Sequence, residues 1–379
     1  MSYPRFAARG LARALGLVAF GLAAVPVCAA SEPFLDQFST VERVASTVPV
    51  NGDQNPYGIA IVKRSVGSLQ RGHVLVSNFN NSANLQGTGT TIVQVSPDGT
   101  VSLFARLDSP GVARACPGGV GLTTALVALD FGWVIVGSLP AATGQSADAK
   151  AGCLIVLDSE GVIVETFAGD GIDGPWDMTA LDEEDHAVLF VTNVLNGNVT
   201  QGTPHIVNAG TVLRIELNVP QQQEGLPLRT STTVIASGFG QTADPNALVI
   251  GPTGVSLAWD GTLYVADTLA NRIARIPDAL TRKSPAGTGV TLTQAGALNG
   301  PLGLALAPNG DLITANGGDG NLVEIAPDGR QVAVKTVETA TGAGSLFGLA
   351  IAPRDQGVYF VDDGDNTLKR FTAPQRYGP

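Results

Sequence analysis

"GTLYVADTLANRIARI" (residues 261–276) reads as a strand, a polar turn and a second strand. Its pattern returns at "GDLITANGGDGNLVEI" (310–325) and "GVYFVDDGDNTLKRF" (357–371). Working back along the chain, a proline, one residue, a glycine and an apolar run precede each unit. Six copies follow this order, with substitutions: "NPYGIAIV" (55–62), "CPGGVGLTT" (116–124), "GPWDMTAL" (174–181), "GPTGVSLA" (251–258), "GPLGLALA" (300–307) and "SLFGLAIA" (345–352). A second β-rich run ends each time in a small polar residue, and a third strand follows. Five copies continue to a fourth strand; the sixth stops at three. Asp98-Gly99, Asp260-Gly261, Asn309-Gly310 and Asp328-Gly329 supply tight turns.

The missing strand is at the other end. "STVERVAST" (39–47) alternates apolar and polar residues ahead of the first copy. Paired with the last three strands, it completes a sixth sheet and closes a ring without exposed edges. The sequence therefore predicts an all-β, six-bladed propeller with four-stranded blades, residues 31–379 forming one domain. Two stacked sandwiches are the alternative, but sandwiches do not require six copies of one motif in register.

Composition agrees with a turn-rich β protein: of 379 residues, 47 are glycine and 23 proline. At the N-terminus, Arg5, Arg9 and Arg13 precede the apolar run "LGLVAFGLAAVPV" and then "CAA". This is the order of a secretory signal over residues 1–30, and it predicts a periplasmic or secreted protein with no membrane span after cleavage. Cleavage would remove three of the 22 basic side chains and none of the 33 acidic ones. A surface this acidic argues against a nucleic-acid partner. Cys116 and Cys153 remain; in an oxidising compartment they either pair or stay buried as thiols.

"LYVADTLANRIARI" (263–276) resembles the core of an NHL repeat, and the six copies together resemble NHL and gluconolactonase-like propellers. The resemblance implies a six-bladed fold. It leaves function open, because such propellers host binding scaffolds, hydrolases and lyases alike. In the gluconolactonase-like family, acidic and amide side chains near the inner strands hold a divalent metal.

Two rings of residues are candidates for chemistry. The first stands between proline and glycine: Tyr57, Gly118, Trp176, Thr253, Leu302 and Phe347, with Asp177 replacing one glycine. Tyr57, Trp176, Asp177 and Phe347 would form a ligand-binding channel mouth, or the large side chains would pack between blades. The second ring ends the second strands: Asn78, Ser138, Asn193, Asp267, Asn316 and Asp363. Its oxygens would hold calcium or another divalent cation, or would serve their own turns. Of His73, His186 and His205, only His205 lies in a long insertion able to cover a mouth, making it the candidate general base. No nucleotide-binding loop, serine elbow or zinc spacing is present, and no cofactor is expected. The sequence thus points to a module that binds a small molecule or protein, with a metal-dependent lactone hydrolase or lyase as the alternative.

Overall fold

Four hairpins turn on the same local chemistry. In a computed structural model, which describes residues 32–108, 116–183, 185–196, 205–244, 247–339 and 344–374, Gly99, Gly261, Gly310 and Gly329 have φ between +80° and +91°. Glycine adopts that conformation without steric cost. The residue before each glycine accepts the amide two positions ahead of itself: Thr100, Thr262, Asp311 and Arg330 donate to Asp98, Asp260, Asn309 and Asp328. These side-chain turns terminate one strand and start the next.

Such turns connect antiparallel strands into six radial sheets. Strand β1 (Thr40–Ser46) precedes blade one, which is β2 (Gln54–Ile61), β3 (Val74–Asn80), β4 (Thr91–Val95) and β5 (Val101–Arg106). Blade two is β6 (Leu126–Ala128), β7 (Val134–Ser138), β8 (Cys153–Leu157) and β9 (Ile163–Phe167). Blade three holds β10 (Pro175–Glu183), β11 (His186–Asn193), β12 (Val207–Asn218), β13 (Leu228–Asp244) and β14 (Leu248–Ile250). Blade four is β15 (Pro252–Leu257), β16 (Leu263–Asp267), β17 (Arg272–Ile276) and β18 (Val290–Gln294). Blade five is β19 (Pro301–Leu306), β20 (Leu312–Asn316), β21 (Asn321–Ile325) and β22 (Gln331–Thr336), and blade six begins with β23 (Leu346–Ile351), β24 (Val358–Asp362) and β25 (Thr367–Thr372).

β1 closes the ring as expected. It pairs antiparallel with β25 from Thr40 opposite Thr372 to Ser46 opposite Thr367. Among the described residues, six buried apolar clusters each join two neighbouring blades, and a seventh lies on the axis. No helix among the described residues is long and apolar enough to cross a membrane. The export-signal reading concerns residues 1–30, outside the described residues.

Three details differ from the sequence reading. Blade three has five strands, because the 17-residue β13 runs past β12 and its last three residues pair with β14. In blade two the inner strand starts later than "CPGGVGLTT" suggests: Leu126 pairs with Val136, and Thr124, not Gly118, takes the ring position. In blade six the second-strand terminus is Asp362, which pairs with Leu346; Asp363 is one residue beyond.

The glycine of the repeat has a packing cause. A Cβ placed on Gly254, Gly303 or Gly348 would fall 2.0, 2.5 or 2.1 Å from the carbonyl oxygen of Leu302, Phe347 or Tyr57 in the next blade. Inner strands crowd together around the axis, and only a bare Cα fits. Gly254→Ala is therefore expected to destabilise the protein by about 1–3 kcal/mol through overpacking. A shifted urea midpoint would show it; an unchanged midpoint would show that the blades can part.

Candidate functional site

The second ring serves the blades. Asn193 Oδ1 accepts the amides of Asp173 and Gly174 at 3.0 and 2.8 Å. Asn316 Oδ1 accepts Asn299 N at 3.1 Å while its Nδ2 donates to Ala297 O. Ser138 Oγ accepts Gly121 N, and Asn78 Nδ2 donates to Thr47 O. Asp267 pairs with Arg272 at 2.8 Å. Each side chain thus ties its second strand to structure close by in the same blade or to the segment entering it. Calcium takes six to eight oxygens. Asn193 Oδ1, Asn316 Oδ1 and Ser138 Oγ are committed to backbone amides, whereas Asn78 Oδ1 and Asp267 Oδ1 are buried without a hydrogen-bond partner among the described residues. Among the described residues no three His, Cys, Asp or Glu side chains group as metal ligands.

The first ring does something else: its aromatic members meet on the axis. Tyr57 and Phe347 stack with centroids 5.3 Å apart. Trp176 stands edge-on to Tyr57 at 6.1 Å, its Nε1 donating to Tyr57 Oη at 3.1 Å. Phe79 meets Phe347 edge-on. Tyr57 and Trp176 are almost fully buried. The plug they form divides the channel into two cavities that share no lining residue.

On the side where inner strands begin lies a basin of about 820 Å³, within the usual range for small-molecule sites. Phe347, Leu302 and Ile250 give it apolar surface. Its polar groups come from loops and strand ends: Asn55, Asn84 and Gln86 of blade one, Gln145 of blade two, Asp244 at the end of β13 and Asp363 of blade six. Among the described residues no lysine or arginine lines it. Burial, and secondarily the neighbouring Asp362, pushes the Asp363 carboxyl up to about 7, so it changes charge near neutral pH. Blade three reaches this mouth where β13 leads into β14, through Asp244 and Ala247. His205, in contrast, is exposed just before β12 and lines neither cavity.

On the other side a bore of about 680 Å³ runs along the inner strands to the opposite face. Tyr57 and Asp177 line it, so Asp177 does not share a mouth with Phe347. Burial pushes Asp177 up to about 7, against the amide hydrogen bonds of Met178 and Val255. Cys116 and Cys153 form a disulfide, Cα–Cα 5.3 Å, within the cluster joining blades one and two.

Sequence reasoning missed most of the basin, because its loop residues repeat in no other blade. Of its lining, the repeat singles out only Leu302, Phe347 and Asp363.

No protein-family model and no curated protein sequence matches the chain. Solved structures do. A candidate gluconolactonase shares 16% identity, with 90% of this chain and 96% of that chain covered and a TM-score of 0.56. A luciferin-regenerating enzyme shares 11%, covering 88% and 95%, with a TM-score of 0.54. Regucalcin of Agrobacterium tumefaciens, a calcium-binding protein, shares 13%, covering 88% and 96%, with a TM-score of 0.52. In fold, the chain is a six-bladed β-propeller similar to the gluconolactonase-like and regucalcin propellers.

Proposed function

We propose that this propeller binds a small organic molecule in the basin where its inner strands begin. The observation that carries this reading is the lining: apolar surface from Phe347 and Leu302, amides and carboxyls above it, and no cationic side chain among the described residues. Such a site suits a ligand with an apolar face and several hydroxyl or ammonium donors. The Cys116–Cys153 bond supports an exported location, since disulfides persist in oxidising compartments.

Asp363 favours a second reading. A carboxyl titrating near pH 7 in a cleft is suited to general acid–base work. Hydrolysis or elimination on a bound lactone or ester is the corresponding activity. The likeness to a candidate gluconolactonase supports testing lactones first.

One experiment separates the readings. Sugar lactones, polyols and amino sugars are screened for a raised melting temperature, then for turnover, with wild type and Asp363→Asn. Binding alone predicts stabilisation without turnover, weakened about tenfold by the substitution, or about 1.4 kcal/mol. The hydrolase reading predicts turnover that rises as pH increases through about 7, where Asp363 ionises, and that is lost in Asp363→Asn. A ligand bound equally well by Asp363→Asn and by a variant of Gln145 would place binding outside the basin.

A further inference from the structure

We propose that the bore on the opposite side of the aromatic plug is a second, independent site. It takes an alkylammonium, with the cation at Asp177 and the hydrocarbon along the inner strands. The argument begins with what stands at this position elsewhere. Blades one, four, five and six have Gly58, Gly254, Gly303 and Gly348, and blade two has Ala125. Five blades out of six assemble without a functional group here, so a carboxyl is not a requirement of the scaffold.

The surroundings of Asp177 specify a cation. Its carboxyl accepts the amide of Met178 at 2.7 Å and that of Val255, both neutral donors. Among the described residues no ion pair involves it. Burying a carboxylate without a counter-charge is costly, and the result is a carboxyl held near neutrality at about 7. An ammonium entering the bore supplies the missing charge and up to three N–H donors. Tyr57 lines the same cavity as Asp177.

The walls specify the rest of the ligand. Ile59, Ile61, Val127, Leu257, Leu306 and Ile351 line the bore between Asp177 and the surface. The charged lining groups other than Asp177 are Lys63, Arg354 and Asp355, none of them paired with it. Trp259, 79% exposed, also lines this cavity. An exposed indole beside an aliphatic bore is a surface on which a hydrocarbon tail can rest. A hydrophilic or anionic ligand would leave these walls unused and Asp177 uncompensated.

The test compares n-hexylamine with 1-hexanol by calorimetry at pH 7.5, using wild type, Asp177→Asn, Asp177→Gly and Asp363→Asn. Wild type is expected to bind the amine at least tenfold more tightly than the alcohol. Both Asp177 variants should lose that preference while still binding hexanol. Asp177→Gly has the residue that four other blades use, so it preserves the fold if the asparagine variant does not. Asp363→Asn should retain the preference, which separates the bore from the acidic basin. Equal affinity for amine and alcohol in wild type overturns the proposal. So does a preference that survives in Asp177→Gly or vanishes in Asp363→Asn, or failure of both probes to bind.

Discussion

Glu324→Ala is expected to lower the unfolding free energy by about 2–5 kcal/mol, the scale for leaving two buried amides without acceptors. Glu324 is on β21 of blade five and has no solvent exposure. Its carboxylate accepts Phe34 N at 2.6 Å, Leu35 N at 2.8 Å and Asn309 Nδ2 at 3.0 Å. Those amides open the short 3-10 turn Phe34–Gln37 that leads into β1. Phe34, Leu35 and Phe38 then pack among Ile313, Leu322, Phe360 and Phe371, between blades five and six. One side chain thus clasps the segment that closes the ring. Alanine would leave the Phe34 and Leu35 amides buried without acceptors. Cutting the more exposed Lys335–Asp36 bridge should cost under about 1 kcal/mol. A urea titration that finds the two variants alike would show the clasp dispensable.

The clasp also has a pH signature. Asp311 hydrogen-bonds to Glu324, and burial, followed by that acidic neighbour, pushes it up to about 7. Its folded-state pKa exceeds the usual value, so the folded state holds the proton more tightly. The Asp311 contribution is thus most favourable below about pH 4 and falls as pH rises towards 7. Asp311→Asn should flatten that part of the stability profile, and an unaltered slope would place the titration elsewhere.

Lys369→Met is expected to cost about 3–5 kcal/mol at pH 7 by stranding buried charge. Lys369 Nζ lies 2.6 Å from Asp362, 2.8 Å from Glu338 and 3.1 Å from Asp365. Glu338 follows blade five, and the other three residues are in blade six, so the ammonium joins the blades beside the closure. Three carboxylates around one cation leave an excess of negative charge. Burial, then the hydrogen-bonded Glu338, pushes Asp362 up to about 6. Methionine fills the space but removes the charge, leaving Asp362 and Glu338 facing each other. Lys369 holds the Asp362 pKa down, so without it Asp362 protonates more readily as pH falls and the repulsion is relieved; the penalty should shrink at pH 5. A loss of equal size at pH 5 and 7 would assign the effect to packing.

The fold was legible where the chemistry is local. Asp-Gly and Asn-Gly turns, alternation in 39–47 and the triple recurrence of the hairpin each depend on residues close in sequence. Blade two misled because "CPGGVGLTT" imitates the motif. The real inner strand instead meets the crowding at the axis with Thr123, Thr124 and Ala125, small residues that carry no proline–glycine signature. Asp362 and Asp363 are adjacent and alike in sequence; register alone assigns one to the Lys369 network and leaves the other to line the basin. The fifth strand of blade three arises because β13 extends beyond β12 and pairs with β14, for which the sequence gives no repeat signal.

The sequence by itself determined the number of blades and the way the ring closes, because turn formation and strand pairing repeat with local chemistry. Only the tertiary structure decided that Tyr57, Trp176 and Phe347 stack into a plug, and that Asp177 and Asp363 face separate cavities. Those residues lie more than a hundred positions apart in part, and they meet only because six inner strands converge on one axis.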